Sequence, residues 1–110
     1  MAFLTLLPSF YLYTTLGCHL CDEAELVIDD LRSQMFEHFA LSDGAAVKQQ
    51  EFFIVTRFDI ASDDRLIERY GTRIPVLLSE DKKQELDWPF DVQSLYEFMS
   101  DCLKNDSQVV

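Results

Sequence analysis

Phe10-Tyr11-Leu12-Tyr13-Thr14-Thr15-Leu16-Gly17-Cys18-His19-Leu20-Cys21-Asp22-Glu23-Ala24 is the stretch from which the fold is read. Residues 10–14 are β-branched or aromatic apart from Leu12, the composition of a strand. Thr15-Leu16-Gly17 then turns the chain. From Leu20 the apolar residues fall at 20, 24, 27, 28, 31 and 35, steps of three and four that trace one face of a helix. Asp22, Glu23 and Glu25 lie in its first turns, where carboxylates favour the positive end of the helix. The spacing predicts a helix from about Cys18 to about Ser33.

Working outward, residues 35–51 are the least legible. Phe36 and Phe39 suit a continued helix, whereas Ser42-Asp43-Gly44 is a turn signal. Phe52–Asp59 reads as a second strand. Ser62 or Asp63 caps a short helix with Leu66, Ile67 and Tyr70 facing inward, and Gly71 stops it. Thr72-Arg73-Ile74-Pro75 leads into a third strand, Val76–Ser79. A polar turn at Glu80-Asp81-Lys82-Lys83 precedes a fourth, Gln84–Trp88. Asp91 caps a last helix with apolar positions 92, 95, 96, 99, 102 and 103, fraying after Asn105.

The order is βαβ followed by αββα. The first two strands run parallel through a right-handed crossover and the last two form a hairpin. The expected fold class is α/β: a four-stranded mixed sheet flanked by helices, in one domain spanning 1–110 with its core at about 9–103.

The bulk composition narrows the function. Nine Lys plus Arg stand against 20 Asp plus Glu, a formal net charge of −11. Phosphate binding needs clustered cations, so nucleic acid is not an expected partner. No run of about 18 apolar residues exists to span a membrane. The apolar opening Met1–Tyr13 has no Lys or Arg ahead of it and breaks at Leu7-Pro8-Ser9, which suits a strand better than a leader. The expectation is a cytoplasmic monomer. Three cysteines, an odd number, do not make a disulfide framework, which leaves catalysis or metal binding.

Cys18-His19-Leu20-Cys21 carries the chemistry. Two thiols three positions apart at a helix start can close a disulfide, and the amides there stabilise a Cys18 thiolate. Such sites lower a cysteine pKa from about 8.5 to roughly 3.5–7.5. Asp22 and Glu23 oppose that shift and His19, where it is protonated and not merely an exposed spacer, restores part of it, so a moderate lowering and a reductant are expected. Cys18 would attack a substrate disulfide and Cys21, one turn deeper, would resolve the mixed disulfide. The competing reading is a metal site, in which Cys102 and His38 complete four ligands. Cys102, however, falls on the core face of the last helix, where a buried inert thiol explains it better, and His38 reads as solvated. Ile74-Pro75 is a second constellation. Its X-Pro bond can be cis, presenting the ring beside a cysteine, and Ile74 would offer its N–H and C=O to a substrate strand.

In this order and spacing the motifs resemble those of the thioredoxin superfamily, and within it the small glutaredoxin-like family. The matching pieces are Tyr13-Thr14 before Cys18-His19-Leu20-Cys21, Arg57-Phe58-Asp59-Ile60, Gly71-Thr72-Arg73-Ile74-Pro75-Val76-Leu77 and Trp88-Pro89-Phe90-Asp91, over roughly residues 9–103. The resemblance implies a thioredoxin-like sheet, a cis bond before Pro75, and disulfide reduction with Cys18 as nucleophile and Cys21 as its partner. Gly17, His19, Arg73, Ile74 and Pro75 are the candidate substrate contacts. Glutaredoxins usually carry a lysine three residues before the first cysteine, proline after it, and Gly-Gly before the last helix. Here those places hold Thr15, His19 and Trp88-Pro89, and proline has no amide hydrogen to give. Arg73 remains as a cation that could hold an anion or merely face solvent. No cofactor or metal is expected, and the departures weaken dependence on glutathione. The expected substrate is a protein disulfide or small thiol adduct. The alternatives are an interaction module with non-catalytic cysteines and a metal or iron–sulfur carrier.

Overall fold

In the first strand, β1 (Ser9–Thr14), Phe10 and Leu12 point to one side of the sheet and Tyr11 and Tyr13 to the other, and this alternation divides the core in two. A computed structural model describes residues 7–43 and 52–108, with side chains for 7–38 and 52–103. After β1 come α1 (His19–Asp43), β2 (Ile54–Asp59), a 3₁₀ turn (Ile60–Ser62), α2 (Asp64–Tyr70), β3 (Val76–Ser79), β4 (Glu85–Asp87) and α3 (Val92–Gln108). The strand order is β2-β1-β3-β4. β1 pairs parallel with β2, and β3 is antiparallel to both β1 and β4. The architecture is the expected mixed α/β sheet of thioredoxin-like type.

On one face Phe10, Leu12 and Leu77 pack with Ala24, Ile28 and Leu31 of α1 and Leu95, Met99 and Cys102 of α3. On the other, Tyr13, Val76 and Leu78 pack with Ile60 and Tyr70, the latter meeting Tyr13 edge-on at 4.9 Å between centroids. Fully burying a Leu or Phe contributes about 1.5–3 kcal/mol, so these layers hold the sheet in place.

Several boundaries and faces differ from expectation. α1 runs to Asp43 instead of ending near Ser33, because Met35 extends the stripe that packs on the core and no glycine or proline interrupts 18–43. At 25 residues it is about 37 Å long, against about 20 Å for six-residue β1. Cys21, not Leu20, heads its buried stripe; Leu20 is exposed. β2 begins at Ile54, after Phe53 has turned into the core. Ile67, Tyr96 and Leu103 face outward and Leu66 packs inward. Asp63, not Ser62, caps α2, accepting from the Arg65 amide at 2.9 Å. α3 continues past Asn105 to Gln108. Asp91 and Ser94 cap its start reciprocally: the Ser94 amide donates to the Asp91 carboxylate and the Asp91 amide to the Ser94 hydroxyl. The Gly44 part of the turn signal, and residues 1–6 of the apolar opening, lie outside the described residues. Among the described residues no helix is long and apolar enough to cross a membrane.

Candidate active site

The register gathers the sequence motifs at one end of the sheet. Tyr13 pairs with Val76, so Pro75 comes opposite Thr14, from which the chain reaches Cys18 in four residues. Val76 also pairs with Asp87, so Trp88 and Pro89 emerge at the same end. Asp59 closes β2 there, paired with Thr14.

The turn between β1 and α1 is set by one glycine. The Cys18 amide donates to the Thr15 carbonyl at 3.2 Å, and Gly17, third of the four residues, has φ 82°. A type II turn requires positive φ at that place. The turn delivers Cys18 to the position just before α1. Its Sγ accepts the Cys21 amide at 3.1 Å, as a serine or aspartate oxygen does at an N-cap. The amide thereby aims partial positive charge at the sulfur that would carry the negative charge of a thiolate. Cys18 and Cys21 are joined by a disulfide with Cα atoms 5.2 Å apart. Cys18 is half-buried while Cys21 is only 1% exposed, so attack from outside reaches one sulfur.

Of the flanking residues, His19 falls within the readings the sequence left open and Arg73 does not. His19 is exposed, with Nε2 3.8 Å from Glu23 Oε2, so it turns along the helix toward a carboxylate. Arg73 is not the open cation anticipated. Its Nη2 lies 2.6 Å from Glu85 and 2.7 Å from Asp87, its Nε donates to Asp87 at 3.1 Å, and its guanidinium stacks over Tyr70. Two carboxylates on one strand neutralise it before any anion arrives. The Tyr70 hydroxyl donates to Glu85; that bond, then Arg73, hold the Glu85 carboxyl below its ordinary range. Burial, with the Glu85 hydrogen bond and charge, pushes the Tyr70 phenol up.

The Ile74–Pro75 bond is cis, as the resemblance implies, and Trp88–Pro89 is a second cis bond that sequence reasoning passed over. The Ile74 amide, expected to meet a substrate strand, instead donates to the Tyr70 carbonyl at 3.0 Å. The Trp88 amide donates to the Pro75 carbonyl at 3.2 Å, tying the segment that follows β4 to the proline loop. Two features were missed. Leu16 is 93% exposed beside Cys18, in a hollow of about 200 Å³ shared with Thr14, Thr15, Arg57 and Asp59. Glu85 and Asp87 stand two apart on β4, a spacing that puts both on one face and signals a cation partner. Cys102 is buried within the core on α3, and His38 lies exposed on α1. Among the described residues no three His, Cys, Asp or Glu side chains are grouped to hold a metal ion.

The family described as "Glutaredoxin-like domain (DUF836)" matches residues 9–100. The chain belongs to that family. As a glutaredoxin-like domain it is similar to target protein XcR50 from X. campestris, whose X-ray structure superposes with a TM-score of 0.59 at 28% identity, covering 83% of this chain and 95% of that one. The solution structure of the same target gives 0.57 at 31% identity, covering 83% and 91%. Protein Ne2328 from Nitrosomonas europaea gives 0.53 at 25% identity, covering 81% and 89%. No curated protein matches the chain.

Proposed function

We infer that this glutaredoxin-like domain is a dithiol–disulfide oxidoreductase that reduces protein or small-molecule disulfides through Cys18 and Cys21. The observation that carries the reading is the asymmetry of the pair: one sulfur half-buried before α1 and bonded by the Cys21 amide, the other sealed one turn deeper. In the reduced protein the Cys18 thiolate attacks one sulfur of a substrate disulfide. A mixed disulfide forms and the other substrate sulfur leaves as a thiolate, which takes up a proton. Cys21, having lost its proton, then attacks Cys18 Sγ and expels the second substrate thiolate. Two electrons pass to the substrate, and the Cys18–Cys21 disulfide is left for an external thiol to reduce. Pro75 is fully buried, one residue beyond the Tyr13–Val76 pair, and Gly17 permits the turn that presents Cys18. The odd cysteine count and the absence of an export signal expected from the sequence support a reducing, cytoplasmic setting.

The test is mass spectrometry of alkylated protein before and after exposure to a defined redox buffer, beside a disulfide-reduction assay. The reduced protein should gain two alkylatable thiols, Cys18→Ser should fall to background, and Cys21→Ser should accumulate a mixed disulfide with substrate. Unchanged activity in Cys18→Ser removes the mechanism.

A further inference from the structure

Resting on the dithiol reading, we propose that the substrate of this site is a protein segment whose disulfide is flanked by apolar and cationic side chains, and that anionic thiols such as glutathione are disfavoured.

Two exposed leucines flank Cys18. Leu16 is 93% exposed two residues before Cys18, and Leu20, inside the motif, is 46% exposed. The first belongs to a turn held by the Thr15 carbonyl and Gly17, so its side chain has no structural task in the chain that presents it. Two leucines left in water on either side of the reactive sulfur form a surface that a partner segment can cover.

The charge around them is mainly negative. Asp22 and Glu23 are exposed on the first turns of α1, and Asp59 lines the same hollow as Leu16. The arginines placed at this end of the sheet are already paired, Arg57 with Glu25 at 3.3 Å and Arg73 with Glu85 and Asp87. Backbone donors that could receive a carboxylate are also committed: the Trp88 amide to Pro75, the Ile74 amide to Tyr70, while Pro89 has none. A net charge of −11 adds a long-range field of the same sign. An anionic substrate therefore meets net repulsion, since Arg57, the cation lining the hollow, is already drawn to Glu25. A cationic segment is steered inward.

Single-turnover oxidation of the pre-reduced full chain tests this directly. The probes are three disulfide peptides of equal length with Leu/Lys, Leu/Ser or Leu/Glu flanks, oxidised glutathione, and the small neutral 2-hydroxyethyl disulfide. At about 10 mM ionic strength the Lys-flanked peptide should react at least about tenfold faster than the Glu-flanked one and oxidised glutathione. Near 1 M salt, where the screening length is about 3 Å, that ratio should collapse toward unity. Asp22→Asn with Glu23→Gln should flatten the preference. Leu16→Ser should slow the leucine-bearing peptides several-fold and leave 2-hydroxyethyl disulfide unaffected. Equal rates for the three peptides, or faster reaction with oxidised glutathione, overturns the substrate class while the redox reading stands. If no probe oxidises the protein, the redox reading itself fails and this inference with it.

Discussion

Gly17 has φ 82° and an added Cβ would meet nothing within 4 Å, whereas Gly71 has an ordinary helical φ of −55° but would bring a Cβ to 2.5 Å from the Ile67 carbonyl oxygen. The two positions thus demand glycine for different reasons, conformation in one and close approach in the other. Gly17→Ala should lower stability by roughly 1–2 kcal/mol through the left-handed backbone alone. At Gly71 the usual gain from a less flexible unfolded chain, about 0.4–1 kcal/mol, is available. The contact is with backbone, which cannot swing aside, so Gly71→Ala should still be net destabilising by about 1–3 kcal/mol. Urea unfolding of both variants checks the two values. Gly17 and Gly71 were legible as turn and stop, since each ends an apolar pattern. The reason for glycine at 71 was not, because the clash depends on how the last turn of α2 closes on Ile67. Cys18, Cys21 and Pro75 were legible as well, being marked by spacing along the chain. The engagement of Arg73 was hidden because its partners lie 12 and 14 residues away, and only the hairpin brings them round.

α3 shows what an element keeps and gives up. Leu95 is fully buried among residues of β1 and α1, while Tyr96, its neighbour, is 53% exposed. Leu95→Ala should cost about 2–5 kcal/mol, the range for emptying a leucine site in a core. Tyr96→Ala should change stability by no more than about 0.5 kcal/mol. Thermal and denaturant unfolding of the pair measures which face of the helix docks. The apolar set 92, 95, 96, 99, 102 and 103 suggested a wider stripe than the sheet can cover, and residues at its margin were left outside. β1 and β3 were legible because each is an apolar run bounded by turn residues; β3 matches to the residue. The end of α1 was not, since Met35 and Phe36 continue the pattern beyond Ser33 and nothing between there and Asp43 breaks a helix.

At the scale of the whole molecule, charge and its pH dependence dominate. Glu85 has a folded pKa held below its unfolded value by Tyr70 and Arg73. The stability it contributes is therefore present above the ordinary carboxylate range and is lost as pH falls through the folded value. Unfolding free energy should decline on acidification, and Glu85→Gln should show a shallower decline from a lower starting point at neutral pH. Tyr70, raised by burial and by Glu85, acts in the opposite direction at the alkaline end: its contribution holds below the usual phenol range and is lost above it. A formal charge of −11 on 110 residues repels itself, so added salt should raise the thermal midpoint at neutral pH. The fold class followed from element order alone, whereas the site's electrostatic character did not, because net charge does not say which arginines are already paired. The length of α1 has a practical side. A reporter coupled at exposed Glu37 would stand about 28 Å along the helix axis from Cys18. It could serve as a handle for immobilising the protein or following its tumbling while the sulfur chemistry proceeds out of its reach.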